Sequence, residues 1–350
     1  MATEKDLMPP DFRAGFTGDA AARAGCLICA AILLCAALDA ASSVLVPAAF
    51  ALFVIAVAWP LQKLLERRLP RLVALLITLT LVLVTVVALA SMVAWGFSRV
   101  GRWVIANGSR LQDIYLRQTE WLDEQGLPVS GLLAENFDMR WLVVVAQYVT
   151  GHMSSFISFL TVTLVFTLLG MLEVGITARK LARMAPRMLQ ATISIGRKLQ
   201  TYMLVRTVMS AMTGLTIGIF AYVVGLDLPV EWGVIAFAVN YIPFVGSLIA
   251  TVLPTLFAGL QFGSWRMAIV VFLGLNLIQF LWGSYVEPRL AGKAVSISPF
   301  LVLFAVFFWA YLWGIAGAFI GIPMTIAMLA VCAEYPGTRW IADLLSGKEA

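Results

Sequence analysis

Long apolar runs separated by short clusters of charge recur from residue 22 to residue 333. The hydrocarbon core of a bilayer is about 30 Å thick and takes about 20 apolar residues in helical form, which is the length these runs supply. Inside lipid every backbone polar group needs an internal partner, so a chain that crosses in apolar runs crosses as helices. The expected fold is therefore all-α, a polytopic integral membrane protein. Composition agrees, with 61% of residues apolar and 12% charged, against about half and about a quarter in ordinary soluble domains.

Single spans are expected at 22–39, 44–60, 71–97, 142–173 and 206–225, with an uninterrupted helix at 266–286. Two longer segments, 231–262 and 298–333, carry Gly and Pro near their middles, which brings the total to about eight membrane segments. Residues 1–21 read as a mobile polar tail, 22–335 as the membrane transport domain and 336–350 as a C-terminal tail. The run Gly25 to Leu38 reads as an uncleaved signal anchor.

Basic residues in short loops stay on the cytoplasmic side. Lys63, Arg67, Arg68 and Arg71 follow the second span, and Arg179, Lys180, Arg183, Arg187, Arg197 and Lys198 follow the fourth. Both clusters are placed inside. The 98–141 connection, mixed in charge, and Asp227 with Glu231 are placed outside, and the N-terminus inside. Apolar residues recur at helical spacing at Leu111, Ile114, Tyr115, Trp121 and Leu122, and again at Leu181, Met184, Met188, Leu189 and Leu199. Residues 98–141 thus read as an external amphipathic helical insertion and 174–205 as a cytoplasmic amphipathic connection, each lying along the membrane or on a neighbouring subunit.

Several function classes recede. The net charge of +5 comes from Lys and Arg in the inter-span clusters, where membrane orientation accounts for it better than nucleic acid does. His152, the single histidine, has no HExxH or carboxylate companion, and no GxSxG or phosphate loop occurs, so enzyme chemistry, a metal centre and a bound cofactor are not expected. Cys26, Cys29, Cys35 and Cys332 all lie in apolar runs and read as small buried hydrophobes.

The candidate site residues come from the interrupted segments. In Asn240-Tyr241-Ile242-Pro243-Phe244-Val245-Gly246, Pro243 lacks an N–H and crowds the preceding turn, so the helix should break and free main-chain carbonyls. Gly314 through Pro323, with Gly317 and Gly321 between, should do the same. Free backbone groups cannot face lipid, so each break must be buried in protein or line a watery cavity; paired interruptions of this kind point to a transporter's binding site. Between them Asn276, Gln279, Gly283 and Glu287 follow at intervals of three, four and four, on one helical face. A pathway role and interhelical hydrogen bonding both account for such a stripe. Close helix packing is the better account of the Gly317 and Gly321 spacing. Glu287 and Arg289 can pair with each other or with broken-helix ends, as a gate, a coupling site or a simple ion pair.

Two topologies compete for 231–262 and 298–333. If each crosses once, Arg289 and Lys293 fall outside, against the positive-inside tendency. If both are re-entrant hairpins from opposite faces, that loop and the C-terminus stay cytoplasmic, and this arrangement is preferred.

At Asn240 to Gly246, at Glu287-Pro288-Arg289-Leu290 through Ser298-Pro299-Phe300, and at Trp313-Gly314 through Pro323, the chain resembles the autoinducer-2 exporter family, the PerM-like permeases. The resemblance implies a multi-span bacterial inner-membrane carrier associated with autoinducer-2 export or with sodium/proton exchange. The leading expectation is a permease exporting a small polar solute by alternating access, driven by an ion or solute gradient. A sodium (or lithium)/proton antiporter using Glu287, Asp39 or Glu173, and an oligomeric channel-like scaffold, are the alternatives. The expected partners are the solute, a monovalent cation and proton, the lipid bilayer and further copies of the chain.

Overall fold

The structure is a computed structural model that describes residues 10–108, 153–291 and 298–345. These form α1 (Pro10–Ala40), α2 (Ser42–Glu66), α3 (Arg71–Ala106), α4 (Met153–Met184), α5 (Pro186–Val224), α6 (Pro229–Val239), α7 (Val245–Phe262), α8 (Trp265–Gln279), a π-helical segment (Phe280–Val286), α9 (Glu287–Ala291), α10 (Pro299–Glu334) and α11 (Arg339–Leu345). No strand occurs among the described residues, and eight of the helices there are long and apolar enough to cross a bilayer. The chain is an all-α, multi-pass membrane protein. Most of the insertion read at 98–141, together with His152 and Lys293, lies outside the described residues.

Side-chain contacts orient the helices. One end of the bundle holds the α2–α3 turn, where the Arg71 guanidinium donates to the carbonyls of Met171 and Leu172 on α4. At the other end Arg99 of α3 meets Glu231 at 2.9 Å, and the Trp103 indole donates to Asp227 at 2.9 Å. These two anchors explain why α3 runs on to Ala106, past the apolar run itself. We call the first the basic end, for Lys63, Arg67, Arg68 and Arg71, and the second the Glu231 end.

The segment 231–262 is a helical hairpin. α6 has 11 residues and is about 16 Å long, too short to cross alone. Both feet of the hairpin meet at the Glu231 end, where the Gln261 side chain accepts from the Asp227 N–H at 2.7 Å and donates to the Gly225 carbonyl at 2.9 Å. Trp232 of α6 packs edge-on against Phe257 of α7, with ring centroids 5.1 Å apart. At the tip Pro243 lies in the break, as expected, and the turn is closed by Phe244 at φ +62°. The arms touch so closely behind it that a Cβ on Gly246 would lie 2.0 Å from the Val239 carbonyl oxygen.

The segment 298–333 is also a hairpin, entering from the basic end. Its helix α10 contains two non-helical residues, Trp313 (φ −129°, ψ 17°) and Gly314 (φ +60°, ψ −142°). In a straight helix Ala305 and Gly321 would be about 24 Å apart, yet a Cβ on Gly321 would lie 3.0 Å from the Ala305 carbonyl oxygen. The chain therefore reverses at 313–314, and Gly317 and Gly321 are the surface on which the second arm rests against the first. The Trp313 indole donates to the Leu38 carbonyl at 3.1 Å, placing the tip beside the α1–α2 turn. The Ser298 N–H reaches the Leu345 carbonyl at 3.4 Å, so entry and exit share one end. The break thus falls at the start of the expected Gly314 to Pro323 stretch, and Pro323, nine residues later, is buried within the second arm. A glycine can hold φ +60° with ψ −142° where other residues are strained, whereas a proline inside a membrane helix is accommodated by its neighbours.

Three other expectations change. The 174–205 stretch is no separate surface helix but the continuation of α4 and α5, which meet at Ala185. α1 begins at Pro10, so its first turns include residues 10–21, grouped above with the tail. Cys26 and Cys29 are exposed rather than buried, because among the described residues α1 packs lightly, mainly against α2 and α10.

Candidate transport site

The hairpins pass one another inside the bundle. The Tyr241 ring, at the tip of the first, stacks on Phe319 in the second arm of the other at 6.3 Å, and Phe319 stacks in turn on Phe50 of α2 at 5.9 Å. α5 runs antiparallel to α6 alongside the first hairpin. Gly214 and Gly218 let the two backbones close on each other: a Cβ on Gly214 would lie 2.6 Å from the Gly233 carbonyl oxygen. From that approach α5 continues to the tip, where the Asn240 amide donates to the Ser210 hydroxyl at 3.4 Å and Tyr241 donates to Thr207 at 3.1 Å.

On this face α5 carries Tyr202, Arg206, Ser210 and Thr213, spaced four, four and three apart and all buried. Arg206, 7% exposed, pairs with Glu287 at 3.1 Å. Its Nε and the Tyr202 hydroxyl are buried without a hydrogen-bond partner. Sequence reasoning missed this stripe, although the same spacing rule that marked Asn276 to Glu287 would have found it. In the sequence Arg206 is the first residue of the apolar run 206–225.

The stripe read on 266–286 does not survive intact. The helix is interrupted by the π segment Phe280–Val286, whose wider turn shifts the residues after it. Asn276 is exposed and its amide bonds the Phe272 carbonyl of its own helix at 2.8 Å. The Gln279 amide nitrogen is buried without a partner. Gly283 is exposed in open space. Glu287 alone reaches the α5 stripe. It does not pair with Arg289, which lies 3.4 Å over the Tyr285 ring and donates to the Tyr285 carbonyl. Of the candidate residues, then, Asn240, Tyr241 and Glu287 converge on α5, Pro243 and Gly246 form the turn of the first hairpin, and Gly317, Gly321 and Pro323 build the second hairpin from within. Asn276 and Arg289 face away.

Comparison with known proteins fits this architecture. Residues 27–337 match the pattern described as AI-2E family transporter. The chain belongs to the AI-2E transporter family. It is 27% identical over 320 residues to the AI-2 transport protein TqsA of Escherichia coli K12, covering 90% of this chain and 92% of that protein. A Haemophilus influenzae protein, named provisionally as a transport protein, is 24% identical over 344 residues, covering 92% of this chain and 95% of its own. A Borreliella burgdorferi protein with a similar provisional name is 32% identical over 164 residues, 47% of this chain and 45% of that protein. Membership in this family makes the chain a membrane permease acting on a small solute, and the same membership points away from an enzyme.

Proposed function

We propose that this permease exports a small polar solute, with autoinducer-2 as the first candidate, across the bacterial cytoplasmic membrane by alternating access. One observation carries the reading: two helical hairpins enter from opposite ends and overlap at Tyr241 and Phe319, beside the buried polar stripe of α5. Broken helices at membrane depth are tolerated where protein or a watery cavity receives their free backbone groups, and paired ones are how carriers build a site reachable from either side. The site in this reading is made by Asn240, Tyr241, Ser210 and Arg206, with the Gly246 and Gly317 contacts holding the two tips. The basic end faces the cytoplasm, with both termini there. The TqsA name supports autoinducer-2 as the first solute to try.

Exchange of sodium or lithium for protons calls for a titratable carboxylate free to load and unload. Glu287 is held by Arg206, and Asp39 and Glu173 are exposed on the outside of the chain, so this alternative has less support. The test is uptake into inside-out vesicles of autoinducer-2 and a panel of small polar solutes, under imposed sodium and proton gradients. Saturable autoinducer-2 uptake that is lost in Asn240→Leu is expected. Folded protein that moves none of the panel under any gradient overturns the proposal.

A further inference from the structure

Arg206 is the one guanidinium among the described residues that is more than nine-tenths buried. Both Glu287 oxygens approach the same nitrogen of it, Nη1, at 3.1 and 3.3 Å. The Nε edge is left buried and without a partner. One turn earlier on the same face of α5, the buried Tyr202 hydroxyl also lacks one. A hydroxyl oxygen can turn to a guanidinium, but its hydrogen then still needs an acceptor, and Nε can only donate. With the hydroxyl oxygen turned to the guanidinium, the hydroxyl hydrogen is still buried with nothing to receive it, and the Nε edge has no anionic partner, in a place where an unmade hydrogen bond is costly. Bound pairs of this kind are satisfied by oxygen acceptors, and a guanidinium edge suits a planar or tetrahedral oxyanion best.

From this we infer that the Nε edge of Arg206 and the hydroxyl of Tyr202 form a seat for an anionic oxygen group of the transported solute, a carboxylate or a phosphate. The inference rests on the carrier reading and specifies the class of solute. Glu287 holds the far end of the guanidinium and fixes the direction of its free edge. It also sets the strength of binding, because its negative charge opposes that of the incoming anion across the guanidinium. Glu287 begins a five-residue helix directly after the π segment and is about one-third exposed. It is a positioning residue.

The test uses the purified full chain in lipid nanodiscs. Thermal melting is followed against inorganic phosphate, acetate and the neutral triol glycerol, with ionic strength matched by sodium chloride. A ligand that binds the folded state raises the melting temperature with its concentration. A saturable rise with phosphate or acetate, and none with glycerol, is expected. Tyr202→Phe, which deletes only the hydroxyl, should weaken the anion about fivefold. Glu287→Gln, which keeps a hydrogen-bonding group but removes the opposing charge, should tighten it about tenfold; a purely structural ion pair would leave affinity unchanged. Arg206→Gln should lose the rise, and if that variant does not fold, the Tyr202 and Glu287 variants decide. The proposal is overturned if neither anion raises the melting temperature of the native or Glu287→Gln protein, or if both variants bind as the native chain does. A chain that shows the expected shifts yet moves no solute keeps the seat and sinks the carrier reading.

Discussion

Replacing Gly317 by alanine tests the second hairpin directly. A Cβ there would lie 1.8 Å from the Trp309 carbonyl oxygen and 2.5 Å from the Trp309 carbonyl carbon. Those are backbone atoms of the opposing arm, so no side chain can swing aside. Real Cβ contacts do not fall below 3.0 Å, and the arms must part by more than 1 Å to admit the methyl. Overpacking of this size in a close-packed interior costs about 1–3 kcal/mol, offset in part by the roughly 1 kcal/mol that alanine gains over glycine within a helix. Gly196→Ala is the control, because nothing lies within 4 Å of its Cβ position and only the helical gain applies. Thermal melting of the purified protein should show Gly317→Ala lowered and Gly196→Ala unchanged or raised. Transport should fall in the first and persist in the second. A Gly317→Ala protein that melts with the control would mean that the chain does not reverse at 313–314, and the overlap of the hairpins would go with it.

Glu287→Met strands the buried Arg206 guanidinium and should destabilise by about 3–5 kcal/mol, Arg206→Met leaves the partly exposed Glu287 and should cost less, and the double variant should recover most of the loss in denaturant titration; an additive double variant would show that the two groups are not coupled. Asn276→Leu should leave solute flux within about twofold of native, since its amide bonds its own helix, and a loss comparable to that of Asn240→Leu would return the pathway to the outer face of α8. On a background without native cysteines, Arg266→Cys and Arg339→Cys should label from opposite sides of the membrane, with Arg339→Cys modified from the cytoplasm; labelling of both from one side contradicts hairpins entering from opposite ends.

The apolar runs are visible in the sequence because the bilayer imposes a length on them. The first break was legible for a similar reason: Pro243 removes a donor wherever it is placed. The opposite entry of the hairpins was legible too, from the basic residues flanking them. What stayed hidden depends on distance along the chain. Arg206 and Glu287 are 81 residues apart, and no local spacing announces that one will meet the other. The π segment widens a turn, and its lone Gly283 was counted in the stripe instead of being taken for a break, so Asn276 was credited with a face that Glu287 alone keeps. The second break was expected across Gly314 through Pro323, and the reversal falls at the start of that stretch, at Trp313 and Gly314, set by a backbone conformation rather than by the donor that Pro323 lacks.

The contacts of α10 carry a consequence for biogenesis. Among the described residues, and apart from the short α11 that follows it, the helices it packs against most, α1, α2 and α5, come earlier in the chain. Its two arms, which meet at the non-helical Trp313 and Gly314, are poor candidates for partitioning into lipid one at a time. A ribosome delivering this polypeptide presents α1, α2 and α5 before α10, so α10 docks against walls already made. Moving those final residues to the front of the chain would ask the insertion machinery to hold an unpartnered turn in hydrocarbon until its hosts were made.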